Sequence, residues 1–254
     1  ELMPQSFRLE DRLYRDMIRQ SNKSAIEKVR AAEDARQEYR EYIEGWVHEI
    51  KAPLSDICLL CQQRKDDTAR RILVQNQRTE NYVDMALFYA RSDQVYQDYL
   101  IKETSLQGTA EEVLQKNKYA FIQSGIQAQV CCPDRVYTDV KWIAFILNQL
   151  VLNAVKYRQD ANPRIRIATL RQEHGVCLSV EDNGLGIPAQ DLPRIFDKGF
   201  TGSNGRIRGR STGMGLYLCR KLCLKLGIGI RAESQEGAGT RILLEFPVSK
   251  HLSG

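Results

Sequence analysis

The chain has 254 residues, 43% hydrophobic and 27% charged, with a net charge of +5. This is enough apolar material for one large domain or two modest ones, with a water-facing surface rich in helix. The basic excess is spread out, so nucleic acid is not an expected partner. No apolar run reaches the ~18 residues of a membrane span, and no signal-peptide pattern is present.

Residues 1–40 are polar and helix-friendly. Ile18, Ala25, Ala32, Tyr39 and Trp46 fall seven apart, as in a linker helix or loose coiled coil. The pattern then sharpens. Ile43, Val47, Ile50, Leu54, Ile57 and Cys61 alternate steps of four and three, a coiled-coil seam. The polar cluster Gln62–Asp67 predicts a tight turn. A second helix follows from about Thr68 to Ser92, with Ile72, Thr79, Val83, Ala86 and Ala90 on one face. Two antiparallel helices cannot bury both faces alone, which predicts a homodimeric four-helix bundle. Cys58 and Cys61 have a CxxC spacing inside this apolar pattern and are read as core packing. The seven cysteines are an odd number, read as reduced and buried rather than as a disulfide framework. The three histidines, His48, His174 and His251, do not cluster with cysteine at zinc spacing.

From about Tyr99 the texture changes. The sequence predicts a strand over Tyr99–Leu106 and a helix over Thr109–Gln123. Short strands follow around Ile126–Cys131 and Val136–Thr138. Asp139 can cap an apolar helix running to about Tyr157. Arg164–Leu170 and Val176–Glu181 alternate like a hairpin. A Gly-rich stretch leads to a helix over Gly213–Leu226, and Ile228–Ser234 and Thr240–Val248 close the sequence as strands. Helices with mostly antiparallel strands in this order predict an α/β sandwich, so the fold class is α+β.

Four constellations carry chemistry. In Trp46-Val47-His48-Glu49-Ile50-Lys51-Ala52-Pro53-Leu54, His48 lies one step from the seam and faces solvent. An imidazole with one unprotonated nitrogen accepts a phosphoryl group, and the adjacent Glu49 can hold the other nitrogen's proton. Pro53 frees the carbonyl of Glu49 and loosens the helix after the histidine. An exposed histidine beside an incidental proline reads equally well from this segment alone. In Asn148–Tyr157, Gln149 and Asn153 share a helix face, and their amide oxygens suit Mg²⁺. Lys156 lies three residues further on; an ordinary amphipathic helix is the alternative. In Glu181–Pro188, Asp182 can accept a hydrogen bond from an amino group, and Gly184 and Gly186 allow close approach of a flat ligand. A plain β-turn has the same residues. In Gly202–Leu216, amides freed by Gly213 and Gly215 at a helix start can cradle phosphates, with Arg206, Arg208 and Arg210 adding charge, or the arginines form a solvated loop face.

The order and spacing of these segments resemble the sensor histidine kinases of bacterial two-component systems, over residues 40 to 248. His48–Leu54 resembles the H box and Gln149–Tyr157 the N box. Asp182-Asn183-Gly184-Leu185-Gly186 resembles the first glycine box. Ile195–Phe200 is similar to the F box, Ser211–Leu216 to the second glycine box, and Gly237–Thr240 to the last.

The resemblance implies a linker helix at 1–40, a dimerising phosphotransfer hairpin at 41–97 and an ATP-binding domain at 98–254, of the GHKL (Bergerat) type. It implies ATP and Mg²⁺ as cofactors. His48 would be the phosphoacceptor and Glu49 its orienting partner. Asn153 would bind Mg²⁺ with Gln149 beside it, Lys156 would contact phosphate, and Tyr157 would pack on adenine. Asp182 would read the adenine amino group, with Gly184 and Gly186 shaping its pocket and Thr240 nearby. Phe200 to Thr212 would form a lid, and Gly213 and Gly215 would meet the phosphates. The phosphoryl would pass to an aspartate of a response regulator receiver domain.

Three departures stand out. Gln149 replaces a common asparagine, Ser211 a common glycine, and Ala52 a threonine or asparagine tied to phosphatase activity, which predicts weak dephosphorylation of the regulator. A narrower resemblance, on Trp46–Lys51, Phe145–Gln149 and Ser211–Tyr217, is to the intramembrane-sensing kinases that respond to cell-envelope antibiotics and work with an ABC transporter. The chain starts at Glu1 rather than Met, so it is expected to be the cytoplasmic piece of an inner-membrane protein. Two other classes share some of these features: an ATPase of the same nucleotide fold, and a nucleotide-switched dimer scaffold without phosphotransfer. The first would lack the His48 box, and an intact His48, Glu49 and Asn153 argue against the second.

Overall fold

The computed structural model describes residues 9–64, 66–92, 100–173, 175–207 and 211–247. They fall in two compact units, residues 1–49 and residues 50–254. The first unit is helical from Leu9 onward, the N-terminal part of helix α1 (Leu9–Gln62). It is mostly exposed and carries local ion pairs such as Arg40 with Glu44. Its loose heptad positions Ile18, Tyr39 and Trp46 are exposed. Helix α1 contains Pro53 within its span.

In the second unit, the end of α1 turns into α2 (Asp67–Arg91) at the expected polar cluster. Asp66 caps α2, its carboxylate accepting from the Ala69 amide at 2.7 Å. Within the single chain α2 packs a stripe beside the expected seam. Ala69, Leu73, Asn76 and Val83 are buried, whereas Ile72 and Thr79 are exposed. The reason is polar: Asn76 turns inward and its Nδ2 donates to the carbonyl of Leu54 at 2.9 Å. On α1, Leu54 and Cys61 are buried and Ile57 is exposed.

The remaining elements are β1 (Lys102–Ser105), α3 (Leu106–Lys116), α4 (Lys118–Ser124), β2 (Gln127–Cys131), β3 (Arg135–Thr138), α5 (Val140–Lys156), β4 (Arg164–Gln172), β5 (Gly175–Asp182), α6 (Gly202–Ile207), α7 (Gly215–Lys225), β6 (Gly229–Gln235) and β7 (Gly239–Pro247). β1 and β3 form a small antiparallel pair. The main sheet has the order β2-β4-β5-β7-β6, with β2 and β4 parallel and the other neighbours antiparallel. Ile165 and Ile167 of β4, Leu178 and Val180 of β5, and Ile242, Leu244 and Phe246 of β7 point to one face. There they meet α3, α5 and α7 in one core. Helix α5 is the centre, its Ile143, Ile146, Leu147 and Val151 fully buried. Asp139 starts it as expected, accepting from the amides of Lys141 and Trp142.

The single helix expected over Thr109–Gln123 is two helices. The break is at Asn117, whose buried Nδ2 donates to the Val113 carbonyl and to Asn148 Oδ1, at 2.8 and 2.7 Å. All seven cysteines are free; Cys131 is exposed and Cys58 half-buried, the other five buried. Tyr99, His174, Arg208, Arg210, Val248, His251 and the first eight residues of the expected linker lie outside the described residues. Among the described residues no helix is long and apolar enough to cross a membrane.

Candidate nucleotide site

Along α5, apolar side chains fill the core and leave Gln149, Asn153 and Lys156 on the side facing a cavity of about 580 Å³. Tyr157, the residue that ends the helix, joins them. β5 delivers Asp182 and β7 delivers Thr240, paired in the sheet register. Gly186, Gly213 and Gly215 complete the wall, so nine of the residues singled out in the sequence line one cavity. Gly184 is buried behind it. Its amide donates to Asp182 Oδ1 at 2.8 Å. His48 and Glu49 belong to the first unit, where both are exposed beside the buried Val47.

Two glycines are required by geometry. Gly186 has φ +68°, and a Cβ there would collide with the carbonyl of Gln235. Gly213 has φ +65° and its Cβ would strike the backbone of Gly199, whose amide donates to the Gly213 carbonyl at 3.1 Å.

Burial raises the pKa of Asp182 above the usual aspartate value, and the amides of Gly184 and Thr240, donating to its carboxylate, offset part of this. The result is a half-sheltered acceptor for a ligand N–H. Lys156 is shifted the other way. Burial lowers its pKa, and the nearby positive charge of Arg78 lowers it further. Its Nζ donates to Ser211 Oγ at 2.5 Å, and Ser211 Oγ also lies 3.0 Å from Tyr157 Oη.

Several residues that hold the site together were not singled out by sequence. Gln159 Nε2 donates to the carbonyls of Gly184 and Gly237 at 3.0 and 2.8 Å, clamping the first glycine segment to the last. The short helix α6, not expected from its Gly/Ser composition, is held by two contacts. Asp191 accepts from the Ser203 amide and hydroxyl at 2.8 and 3.0 Å, and Asn204 Nδ2 donates to the Gly186 carbonyl at 2.8 Å. A capping carboxylate twelve residues before its target gives no local sequence signal.

For a metal, the amide side chains of Gln149 and Asn153 face the cavity, and the described residues hold no cluster of His, Cys, Asp or Glu. This donor set fits a hard cation that arrives with phosphate oxygens and keeps its waters, not a dedicated protein cage.

The cavity also reaches the hairpin. Asn81 of α2 accepts from Asn148 Nδ2 at 2.9 Å, continuing the relay to Asn117. Phe88 stacks on Phe145 with centroids 4.1 Å apart. Asp84 pairs with Lys51 of α1 at 2.8 Å and with Lys116 of α3 at 3.2 Å. Lys198 Nζ donates to Tyr89 Oη at 2.8 Å, which lowers the tyrosine's pKa.

Residues 138–250 match the family model described as histidine kinase-, DNA gyrase B- and HSP90-like ATPase. The chain is 35% identical over 207 residues to the sensor histidine kinase YxdK of Bacillus subtilis, covering 81% of this chain and 64% of that protein. It is 32% identical over 240 residues to the sensor histidine kinase GraS of Staphylococcus epidermidis, covering 93% of this chain and 67% of that one. It thus spans about two thirds of the length of these curated relatives. Among solved structures, the catalytic domain of the histidine kinase ThkA superposes with a TM-score of 0.51 at 27% identity, covering 58% of this chain and 97% of that domain.

Proposed function

This chain belongs to the bacterial sensor histidine kinase family, and on that footing we propose that it transfers the γ-phosphoryl of ATP to its own His48 and then to an aspartate of a response regulator. One observation carries the reading: α5, both central glycine segments, the α6 segment and β7 all contribute to a single cavity.

In this reading Asp182 accepts the adenine amino proton, and Tyr157 packs on the ring with Gly184, Gly186 and Thr240 shaping the slot. Lys156 and the segment around Gly213 and Gly215 hold the phosphates. Asn153 and Gln149 would hold Mg²⁺ with the phosphate oxygens. Bound there, the ion supplies charge neutralisation across the phosphates. An unprotonated nitrogen of His48 forms the bond to phosphorus as the bond to the ADP oxygen breaks, and ADP leaves. Glu49 holds the proton on the other imidazole nitrogen. The protein's contribution is mainly positioning and charge.

Residues 41–97 would be the dimerising hairpin and 98–254 the ATP domain. The homodimer is supported by Ile57, Leu59, Leu60 and Ile72, all exposed on the hairpin of the single chain. Ala52 is exposed and offers no side-chain polar group near the histidine, in line with weak phosphatase activity. The motif resemblance to intramembrane-sensing kinases supports a membrane-anchored whole protein working with an ABC transporter.

The test is incubation with Mg²⁺ and ATP labelled on the γ-phosphate. Acid-labile label on wild type and none on His48→Gln is expected; equal labelling of both, or of neither, overturns the reading.

A further inference from the structure

The cavity does not end at the nucleotide domain. Its wall includes Gln77, Arg78 and Asn81 of α2, opposite Gln149, Asn153 and Lys156 of α5. Arg78 is a cation without a carboxylate partner among the described residues. Its Nη1 donates only to Gln75 Oε1, on its own helix and at a long 3.4 Å. Lys156 stands close enough to feel that charge, and two cations facing one cavity repel each other unless an anion lies between them.

The same wall holds unused donors. Asn81 and Gln149 are each only 5% exposed. Asn81 Nδ2 and Gln149 Nε2 are both buried without a hydrogen-bond partner. They sit in the wall beside an equally unpartnered acceptor, Asn117 Oδ1. The carboxylates in the cavity are otherwise engaged: Asp182 accepts from Gly184, and Asp191 from Ser203.

We propose that Arg78 of the helical hairpin is a further phosphate-binding residue of the nucleotide site, acting with Lys156 so that the bound polyphosphate bridges the hairpin and the ATP domain. This rests on the ATP site described above. The planar guanidinium can grip phosphate oxygens through two N–H groups at once, which a lysine cannot reproduce. Nucleotide occupancy then ties α2 to α5 through charge as well as through the Asn81–Asn148 amide pair.

The test is calorimetric titration of the full chain with ATP and, separately, with adenosine, in the presence of Mg²⁺. Arg78→Ala is expected to weaken ATP about tenfold, the scale of a charge-assisted contact near the surface, and to leave adenosine affinity at its wild-type value. Arg78→Lys is expected to recover only part of the loss. Unchanged ATP affinity in Arg78→Ala, or an equal loss for adenosine, overturns the bridge while leaving the ATP site standing. A wild-type chain that binds neither compound removes both.

Discussion

The ATP domain and the helical hairpin solve the burial problem in opposite ways. The domain has one continuous core running from α3 through α5 and α7 to the strands, with Met85, Phe88 and Tyr89 of α2 packed against its side. Among the described residues the hairpin has a small cluster of its own, Cys61, Ala69 and Leu73, backed by Cys58 and by Tyr119 of α4. It leaves Ile57, Leu59, Leu60, Ile72 and Tyr82 in water and buries asparagines where an independent bundle would place leucine. A nearly self-sufficient module sits beside one that buries little apolar surface within the single chain.

The largest effect should come from the self-sufficient half. Leu147→Ala removes a fully buried side chain at the centre of α5 and should cost about 2–5 kcal/mol, read from urea denaturation. Asn148→Ala should cost about 1–3 kcal/mol, because it strands the amides of Asn81 and Asn117.

Acid should act on the domain through Asp182. Its raised pKa means the native carboxyl takes up a proton at a higher pH than the unfolded chain's. Its cost to stability is therefore absent below the unfolded value, grows as pH rises from there to the folded one, and is complete above it. Binding runs the other way, since only the carboxylate accepts the ligand N–H in full. Adenosine affinity should fall on acidification while pH is still above the ordinary aspartate range, and Asp182→Asn should lose that step; calorimetric titration across pH checks both. A smaller change is expected for Asp84→Asn, about 0–1 kcal/mol and vanishing in high salt, because its lysine partners are substantially exposed. Least of all, Ile72→Asp should shift the chain's own stability by within about 0.5 kcal/mol, yet dissociate the proposed homodimer in sedimentation. A monomeric wild type would break the comparison.

Legibility in the sequence followed the same divide. The Asp139 cap, the β4–β5 hairpin and the glycine segments are local signals, and the structure has each where the residues point. What escaped reading depends on distant partners. Nothing around Asn117 breaks a helix by propensity; the break follows from its bond to Asn148, 31 positions away. The inward face of α2 is turned by Asn76 reaching Leu54, and α6 by Asp191. Gln159 looks like an ordinary polar loop residue until the fold brings two carbonyls to it.

The carboxylate of Asp84, held by one lysine from each side, has a mechanical meaning. Were the ATP domain to swing away, Lys116 would regain water while Lys51 kept hold of the same acid, so no charge would be stranded at the parting. The joint is built like a handrail with two grips: either hand can let go without a fall.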